Sequence, residues 1–314
     1  MSNFSIIINS VSPVFLIVLA GFILKKIKII NDNFVTTSTR FVFTVALPAL
    51  IFIESIKIDL STLFDFKMIL YIYLCTIITF LLIWVISIPF IKNGRDRSVF
   101  IQGSFRGNYA IIGLALVSNI FGLEDIGKAA IVLAFIIPLY NILGVIALTI
   151  PVRKEKQLNY LDTILSLLKN PMILALLAAL PFSYFKIPVN EVLLRTGNYF
   201  SSLTLPIALL AIGGSLSISA LKEVSYLTLS ASVIKLIIVP FILTYGAFLL
   251  GFKGIDLGIM FILFASPTAI ASYIMAEAMG CNGKLAGSIV AVTTLGSVIT
   301  ITSGLYILKL LGLM

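Results

Sequence analysis

The chain of 314 residues is 60% hydrophobic and 11% charged, and its mean hydropathy of +1.16 excludes an ordinary soluble domain. Because it contains no histidine, imidazole acid–base catalysis, histidine-ligated haem and the usual histidine-containing zinc sites are also excluded. The net charge of +9 is spread over short loops between apolar segments, so it does not indicate a nucleic-acid-binding surface.

Apolar segments of about 20 residues recur along the whole chain, and each is long enough to cross about 30 Å of hydrocarbon. We predict ten transmembrane helices with no soluble domain between them, so the fold class is an all-α integral membrane protein. The predicted spans cover residues 4–24, 34–53, 68–91, 99–121, 128–150, 161–182, 195–217, 225–250, 255–279 and 285–311.

The first apolar segment differs from a secretory signal peptide, because its basic cluster Lys25, Lys26 and Lys28 follows the apolar run instead of preceding it. If the N-terminus lies outside, the loops facing the cytoplasm hold more lysine and arginine than the loops on the other side. We therefore predict a multi-pass protein of the bacterial plasma (inner) membrane with both termini extracytoplasmic.

The two halves of the chain repeat the same helix-breaking landmarks at an offset of 158 residues. This offset places Pro13 on Pro171 and Pro48 on Pro206. Proline lacks a backbone donor and disturbs the preceding turn, so the pair Pro48 and Pro206 predicts helix breaks in spans two and seven. Each half holds five predicted spans, and two copies of an odd number of spans must be inverted relative to each other.

A polar segment, Val152–Asn159, separates the predicted fifth and sixth spans where the repeat places the joint between the halves. We predict a first five-helix repeat at 1–155 and a second, inverted repeat at 156–314. The joint is short and basic, so we expect a solvated loop in contact with anionic lipid.

The strongest candidate site lies in the predicted fourth span, where Arg106, Gly107 and Asn108 adjoin and Gly113 follows. An arginine at the centre of a membrane helix costs roughly 2.5–3.5 kcal/mol, so it must lie against protein or water. The equivalent stretch of span nine is also small and polar with a helix breaker, at Ser266, Pro267 and Ser272. Interrupted helices of inverted halves meet near the midplane in many transporters, where their free N–H groups and dipoles hold an anion. We therefore predict a substrate-binding site at this crossing.

Each candidate also has an ordinary structural explanation. Arg106 could snorkel to the inner surface, and Asn108 could only cap a neighbouring helix. Asn141 in span five is either a substrate ligand or an interhelical hydrogen-bonding residue. Lys235, in the middle of span eight, is either a substrate countercharge or coupling group, or a lysine paired with backbone carbonyls.

Several motifs together resemble the auxin efflux carrier family, which includes plant PIN-type carriers and bacterial malonate and malate permeases. They are the N-x(4)-G-x-x-L pattern at Asn108, Gly113 and Leu116, the LPALIF at 47–52, Lys169-Asn170-Pro171, Leu205-Pro206 with Gly213-Gly214, and the Pro267 stretch. The resemblance runs over essentially the whole chain. It implies ten helices in two inverted five-helix repeats, with broken crossover helices 4 and 9.

The resemblance further implies a scaffold from spans 1, 2, 6 and 7 and a moving transport domain from spans 3–5 and 8–10. This sequence departs from the family pattern at the two crossover prolines, which are replaced by Ala115 and Ser272. If the helices still break, Gly113 and the Ser266-Pro267 pair must break them.

No acidic residue falls clearly at mid-membrane, whereas Arg106 and Lys235 do, and this favours an anion as substrate. Ile51 and Ala134 align with polar pocket positions of the plant carriers, so auxin itself is not expected. We predict a non-enzymatic secondary transporter of small organic anions (carboxylates) that works by elevator-like alternating access. The alternatives are a carrier similar to the bile-acid:sodium symporters and a passive anion channel. The expected partners are the anion, the lipid bilayer and a coupling ion, H+ or Na+, with a homodimer as a candidate assembly and no nucleic acid, cofactor or metal.

Overall fold

The long apolar segments are helical, since a chain in hydrocarbon must satisfy its backbone N–H and C=O groups within its own segment. A computed structural model describes residues 3–57, 65–122, 126–152, 171–216 and 224–314. Within these ranges the chain has no β-strand, only an isolated backbone bridge, and six helical segments are long and apolar enough to cross a membrane. The prediction of an all-α membrane protein is confirmed.

The first half begins with one continuous helix and a second span that changes its helical form on the way. The helices are α1 (Asn3–Lys26), α2 (Asp32–Phe41), α3 (Leu47–Lys57), α4 (Phe66–Phe90), α5 (Gly94–Phe105), α6 (Leu114–Phe121) and α7 (Ile126–Thr149). π-Helical turns at Val42–Ala46 and Tyr109–Gly113 lead into α3 and α6, and a 3-10 turn at Ile150–Val152 follows α7.

The second half also has an interrupted fourth span followed by a long helix, but its π-helical turn lies in the third span and not in the second. The helices are α8 (Pro171–Phe185), α9 (Glu191–Ser215), α10 (Tyr226–Val233), α11 (Val239–Leu249), α12 (Gly254–Ala265), α13 (Ile270–Ala278) and α14 (Gly283–Leu310). A π-helical turn at Ile234–Ile238 joins α10 to α11. Lys169-Asn170, the joint between the halves and most of the linker Val152–Asn159 lie outside the described residues.

Polar residues set many of the helix starts. At six of them a side-chain oxygen accepts a hydrogen bond from a backbone N–H of the first turn, at Asn31, Asp65, Asn93, Asn190, Ser225 and Asn282. Because Asn93 caps α5, span four starts at Gly94 and not at the predicted residue 99, so the basic residues Arg95 and Arg97 are helical.

Two lysines related by the offset of 158 share an uncommon backbone conformation. Lys28 and Lys186 have φ values of 63° and 54°, and among the described residues they are the non-glycine positions with positive φ. Left-handed residues of this kind commonly follow the end of a helix. The ends of α1 and α8 therefore have the same local geometry.

The first helix of each half packs along a helix of the other half. α1 packs along α9 of the second half, and α8 packs along α3 of the first. Glycines permit the close approach of α1 and α9, because a Cβ on Gly21 would lie 2.3 Å from the carbonyl oxygen of Leu210 and one on Gly213 would lie 1.8 Å from that of Val18. Small residues serve this purpose at many membrane helix contacts.

The structure does not break the scaffold helices at Pro48 or Pro206. Pro206 lies inside the uninterrupted α9, and Pro48 is the second residue of α3, directly after the π-helical turn Val42–Ala46. A π-helical turn shifts the backbone pairing by one residue, which accommodates the missing N–H of Pro48. Proline at these two positions changes the local helix form but not the continuity of the span.

Candidate functional site

The helix of span four is interrupted deep in the membrane segment. α5 ends at Phe105 after 12 residues, and the chain turns helical again only at Tyr109. Twelve helical residues extend about 18 Å, and a bilayer core is about 30 Å thick. This places the extended segment Arg106–Asn108 near the midplane.

The helix of span nine is interrupted after the same length. α12 also has 12 residues and ends at Ala265, and α13 starts at Ile270. The hydroxyl of Ser266 donates a hydrogen bond back to the carbonyl of Ile262 at 2.6 Å, and Pro267 has no N–H with which to continue the helix. The end of α12 therefore follows from its local sequence.

The two extended segments cross and pair through their backbones. Gly107 and Thr268 form an antiparallel bridge. The residue after Gly107 donates its N–H to the carbonyl of Pro267 at 2.7 Å, and the residue after Thr268 donates its N–H to the carbonyl of Arg106 at 3.2 Å. Each segment thus supplies hydrogen bonds that the other needs in a buried, water-poor place.

Thr268 anchors the crossing to two further helices. Its hydroxyl donates to the carbonyl of Gly103 in α5 at 2.6 Å, and its N–H donates to the hydroxyl of Thr293 in α14 at 3.1 Å. All three residues are buried. The loop between α12 and α13 is therefore held in one position relative to α5 and α14.

A cavity of about 320 Å³ lies between this crossing and the helices of spans two and seven. Most of its wall is apolar, and its residues include Val42, Phe43, Leu133, Ile136, Ala208 and Ile212. Among the described residues that line it, the polar ones lie along the crossing, on α2 and on α7. The cavity is thus an apolar pocket with a polar end, as is usual for small-molecule sites.

Both half-helices that begin at the crossing point their N-termini at this cavity. Residues Asn108–Ile111 and Ala269–Ala271 line it, and neither N-terminus has a side-chain cap. First-turn N–H groups have no partner within their own helix, and the helix dipole adds positive potential there. Two such ends facing one space are suited to bind an anion.

Arg106 adds a full positive charge at the same place. Its side chain is 7% exposed, and its Nη2 donates to Asn141 Oδ1 and its Nη1 contacts Met275 Sδ, both at 2.8 Å. Gly144 in α7 leaves room for the guanidinium, because a Cβ there would lie 3.0 Å from Arg106 Nη1. Within the described parts of the chain, no Asp or Glu lines the cavity, so the charge is not neutralised there.

Asn108 lines the cavity and has an unused side-chain donor. The residue is 4% exposed, and its Nδ2 has no hydrogen-bond partner among the described residues. The hydroxyl of Tyr109, the next residue along the cavity wall, is also buried without a partner in the described structure. Buried polar atoms are nearly always bonded, so these two groups beside the cavity are available to a partner that the described protein does not supply.

The arrangement of two crossed, interrupted helices around a pocket agrees with what sequence comparison finds. A family model described as "Membrane transport protein" matches residues 6–160 and 157–303. The chain belongs to this membrane transport protein family. An uncharacterized transporter of Methanocaldococcus jannaschii is 22% identical, over 92% of this chain and 94% of the relative. A second uncharacterized transporter, from Methanothermobacter thermautotrophicus, is 21% identical, over 93% of this chain and 95% of the relative.

This membership confirms the family resemblance drawn from the motifs, and it identifies a membrane transport protein and not an enzyme. Within the part of the transport protein that the structure describes, no group of three metal-ligating side chains is placed to hold a metal ion. The polar residues that line the cavity in the described structure are Arg106, Asn108 and Asn141 with the hydroxyl-bearing Thr39, Tyr109 and Tyr140.

Four of the eight predicted binding residues of the transport protein line the cavity, namely Arg106, Gly107, Asn108 and Asn141. The other four, Gly113, Ser266, Pro267 and Ser272, lie behind the crossing and do not line it. Ser266 and Pro267 instead shape the break, and Ser272 is a buried residue of α13.

Gly113 does not interrupt span four as expected. It lies inside the π-helical turn Tyr109–Gly113, five residues after the extended segment. A Cβ on Gly113 would lie 2.3 Å from the Tyr109 ring and 3.0 Å from the hydroxyl of Ser266. The glycine is needed for close packing at the crossing, whereas the break itself lies at Arg106–Asn108.

Lys235 lies beside the crossing but outside the cavity. It belongs to the π-helical turn Ile234–Ile238, its side chain is 1% exposed, and its Nζ donates to the carbonyl of Phe264 at 2.7 Å. This geometry corresponds to the carbonyl-paired alternative for this lysine and not to direct contact with a substrate.

No motif in the sequence singles out Thr39, Phe43 or Met275, which also line the cavity. Thr39 and Phe43 come from span two, and their position opposite the crossing depends on packing between distant segments. Met275 follows Ala271 by four residues, so the two share one face of α13. That spacing would have identified Met275 once the start of α13 was known.

A wider cavity of about 880 Å³ continues from the site and shares four of its lining residues. It separates spans two and seven from α13 and α14, and charged residues of both signs line it, namely Lys25, Asp32, Arg40, Glu277 and Lys284. At the other end of the bundle, Asn119 of α6 donates a hydrogen bond to the Ser10 carbonyl of α1 at 3.1 Å.

Proposed function

We propose that the protein is a secondary transporter that carries small organic anions, most simply carboxylates, by elevator-like alternating access. One observation carries the proposal: Arg106 and two uncapped helix N-termini face one cavity to which no described acidic residue contributes. Each helix N-terminus is equivalent to roughly half a positive charge. A cation would be repelled from such a cavity, whereas a carboxylate would meet several donors.

The apolar walls support an organic rather than an inorganic anion. Val42, Phe43, Ile136 and Ile212 line the side of the cavity away from the crossing. Apolar contacts there would stabilise a carbon skeleton, and the crossing would hold its charged group. The volume of about 320 Å³ suits a small molecule.

The two ends of the bundle support alternating access. The site continues into the wide cavity toward Lys25 and Lys284, and at the other end α6 bonds to α1 through Asn119. In the proposed cycle, spans 3–5 and 8–10 move as one transport domain against a scaffold of spans 1, 2, 6 and 7. The packing of α1 on α9 and of α8 on α3, each between the two halves, supports such a scaffold.

The proposal includes two inverted five-helix repeats, 1–155 and 156–314. The interrupted fourth span of each half, the matching ends at Lys28 and Lys186, and the antiparallel crossing support this relation. We further propose that both termini lie outside a bacterial plasma membrane, because Lys25 and Lys284 then lie on the cytoplasmic side. The wide cavity would then open toward the cytoplasm.

Uptake into proteoliposomes tests the proposal. Radiolabelled mono- and dicarboxylates (acetate, lactate, malonate and malate) are offered to the purified full chain. Arg106→Gln should lower uptake of every transported acid by at least about tenfold, since hydrogen bonds to charged groups contribute about 1.5–3 kcal/mol. Arg195→Gln is the matched control, because Arg195 is an exposed residue paired with Glu191 on the same helix, and it should leave uptake unchanged.

Transport of none of these acids, or equal transport by Arg106→Gln, would contradict the proposed site. Anion flux at channel rates in a bilayer recording would instead identify a passive anion channel, since a carrier must rearrange for each substrate it moves.

A further inference from the structure

We propose that the ammonium group of Lys235 occupies the place of a coupling cation at the end of α12, so that the carrier binds its anion without sodium. This inference deepens the proposed function and rests on it only in treating the cation as one that is coupled to anion transport. The cation site itself is a property of the fold and can be tested without any organic anion.

One backbone carbonyl binds the ammonium group, and two more lie beside it around Gly107. Lys235 Nζ donates to the carbonyl of Phe264 at 2.7 Å, one residue before the end of α12. A Cβ on Gly107 would lie 3.3 Å from Lys235 Nζ, 3.3 Å from the carbonyl oxygen of Leu263 and 3.4 Å from that of Ser266. The ammonium and these oxygens therefore face the same small space beside Gly107.

Carbonyls at the C-terminal end of an interrupted membrane helix form a typical sodium site in transporters. The last four carbonyls of a helix lack partners in their own helix, and the dipole makes this end negative. In carriers with discontinuous helices, such ends coordinate the coupling cation. Here α12 ends in this way at the crossing, and the positive group found against its carbonyls is a lysine of the chain.

The chain directs Lys235 into this position by a local change of helix form. The π-helical turn Ile234–Ile238 inserts one residue into span eight, and Pro240 follows directly in α11. π-Helical turns of this kind often occur at functional positions. Lys235 makes no ion pair with the acidic residues that the structure describes, so carbonyl dipoles and not a carboxylate hold the charge.

The position of Gly107 connects this charge to the anion site. Gly107 lines the cavity on one side, and its α-carbon faces Lys235 Nζ on the other. The ammonium therefore adds positive potential behind the backbone that would contact the anion. A sodium ion in the same place would have the same effect, but it would enter and leave in each cycle. A lysine stays, so no sodium would be moved with the anion.

Radioactive sodium binding to the purified full chain tests this inference. With choline chloride as the background salt, the wild type should show no saturable binding of added sodium, and added sodium should not change its melting temperature. Lys235→Ala and Lys235→Ser free the carbonyls, and each should gain one saturable sodium site per chain and a melting temperature that sodium raises. Lys67→Ala is the matched control, because Lys67 Nζ also donates to a helix-terminal carbonyl, that of Leu250 at 2.7 Å, but at the exposed surface. It should gain no sodium site.

The outcomes separate clearly. Saturable sodium binding by the wild type would overturn the inference, and so would folded Lys235 variants that bind no sodium. Variants that fold only in sodium would support it, whereas variants that remain unfolded in both salts while Lys67→Ala folds would count against it. None of these measurements uses a carboxylate, so failure of the proposed anion transport would leave their interpretation unchanged.

Discussion

Replacing Asn108 by alanine should weaken anion binding without weakening the fold. Asn108 lines the cavity, and its Nδ2 is a buried donor without a partner among the described residues. An unsatisfied buried donor costs about 1–3 kcal/mol of stability. Asn108→Ala removes this cost from the ligand-free protein, so the melting temperature of the variant without ligand should stay the same or rise.

The loss of affinity can be worked out from the same atom. In the complex, the Asn108 amide would donate a charge-assisted hydrogen bond worth about 1.5–3 kcal/mol. Its removal therefore corresponds to a dissociation constant about 10- to 150-fold higher. Asn108→Asp keeps the shape but should be worse, because a carboxylate about 4 Å from the anion adds about 4 kcal/mol of repulsion at an effective dielectric constant of about 20.

Thermal unfolding of the purified chain, with and without an acid that the uptake assay identifies, measures both quantities. Asn198→Ala is the matched control, because Asn198 is exposed on α9 and its Nδ2 bonds the Leu194 carbonyl of the same helix. It should change neither quantity. A ligand-binding role for this amide is contradicted if Asn108→Ala binds the acid as tightly as the wild type, or if it lowers the ligand-free melting temperature as a core truncation does.

Two glycines provide further predictions. Gly144→Ala would place a Cβ 3.0 Å from both Arg106 Nη1 and Gln102 Nε2, so the displaced guanidinium should raise the KM for uptake about tenfold while the chain still folds. Unchanged uptake kinetics would contradict this. Gly213→Ala would place a Cβ 1.8 Å from the carbonyl oxygen of Val18 and should destabilise the contact of α1 with α9 by about 1–3 kcal/mol. A melting temperature equal to that of the wild type would show that the two helices can separate without cost.

The interruption of spans four and nine could be expected from the sequence, but its register could not. The helices end at Phe105 and Ala265, 160 residues apart, and restart at Tyr109 and Ile270, 161 residues apart. The sequence match used 158. Two polar loops and two apolar spans lie between Pro48 and the crossing, and within an apolar span one apolar residue replaces another without a visible shift. A slip of two or three residues inside such a segment leaves no trace in the sequence pattern.

The side-chain partners in the site were beyond the reach of spacing arguments. Arg106 bonds Asn141, which is 35 residues away, and contacts Met275, which is 169 residues away. Composition indicated that a buried arginine must have partners, but not that one would be a thioether. Lys235 was ambiguous for the same reason, since a backbone carbonyl partner such as that of Phe264 has no sequence signature.

The missing crossover prolines show what holds the interruptions open. Ala115 and Ser272 stand where related carriers have proline, yet both helices are interrupted. Pairing of Gly107 with Thr268 maintains the extended segments, because separating them would leave buried N–H groups unsatisfied at about 1–3 kcal/mol each. The same pairing prevents either half-helix from moving alone. The crossing therefore links the two N-termini that face the cavity, as the proposed elevator-like movement of an intact site against α1, α2, α3, α8 and α9 requires.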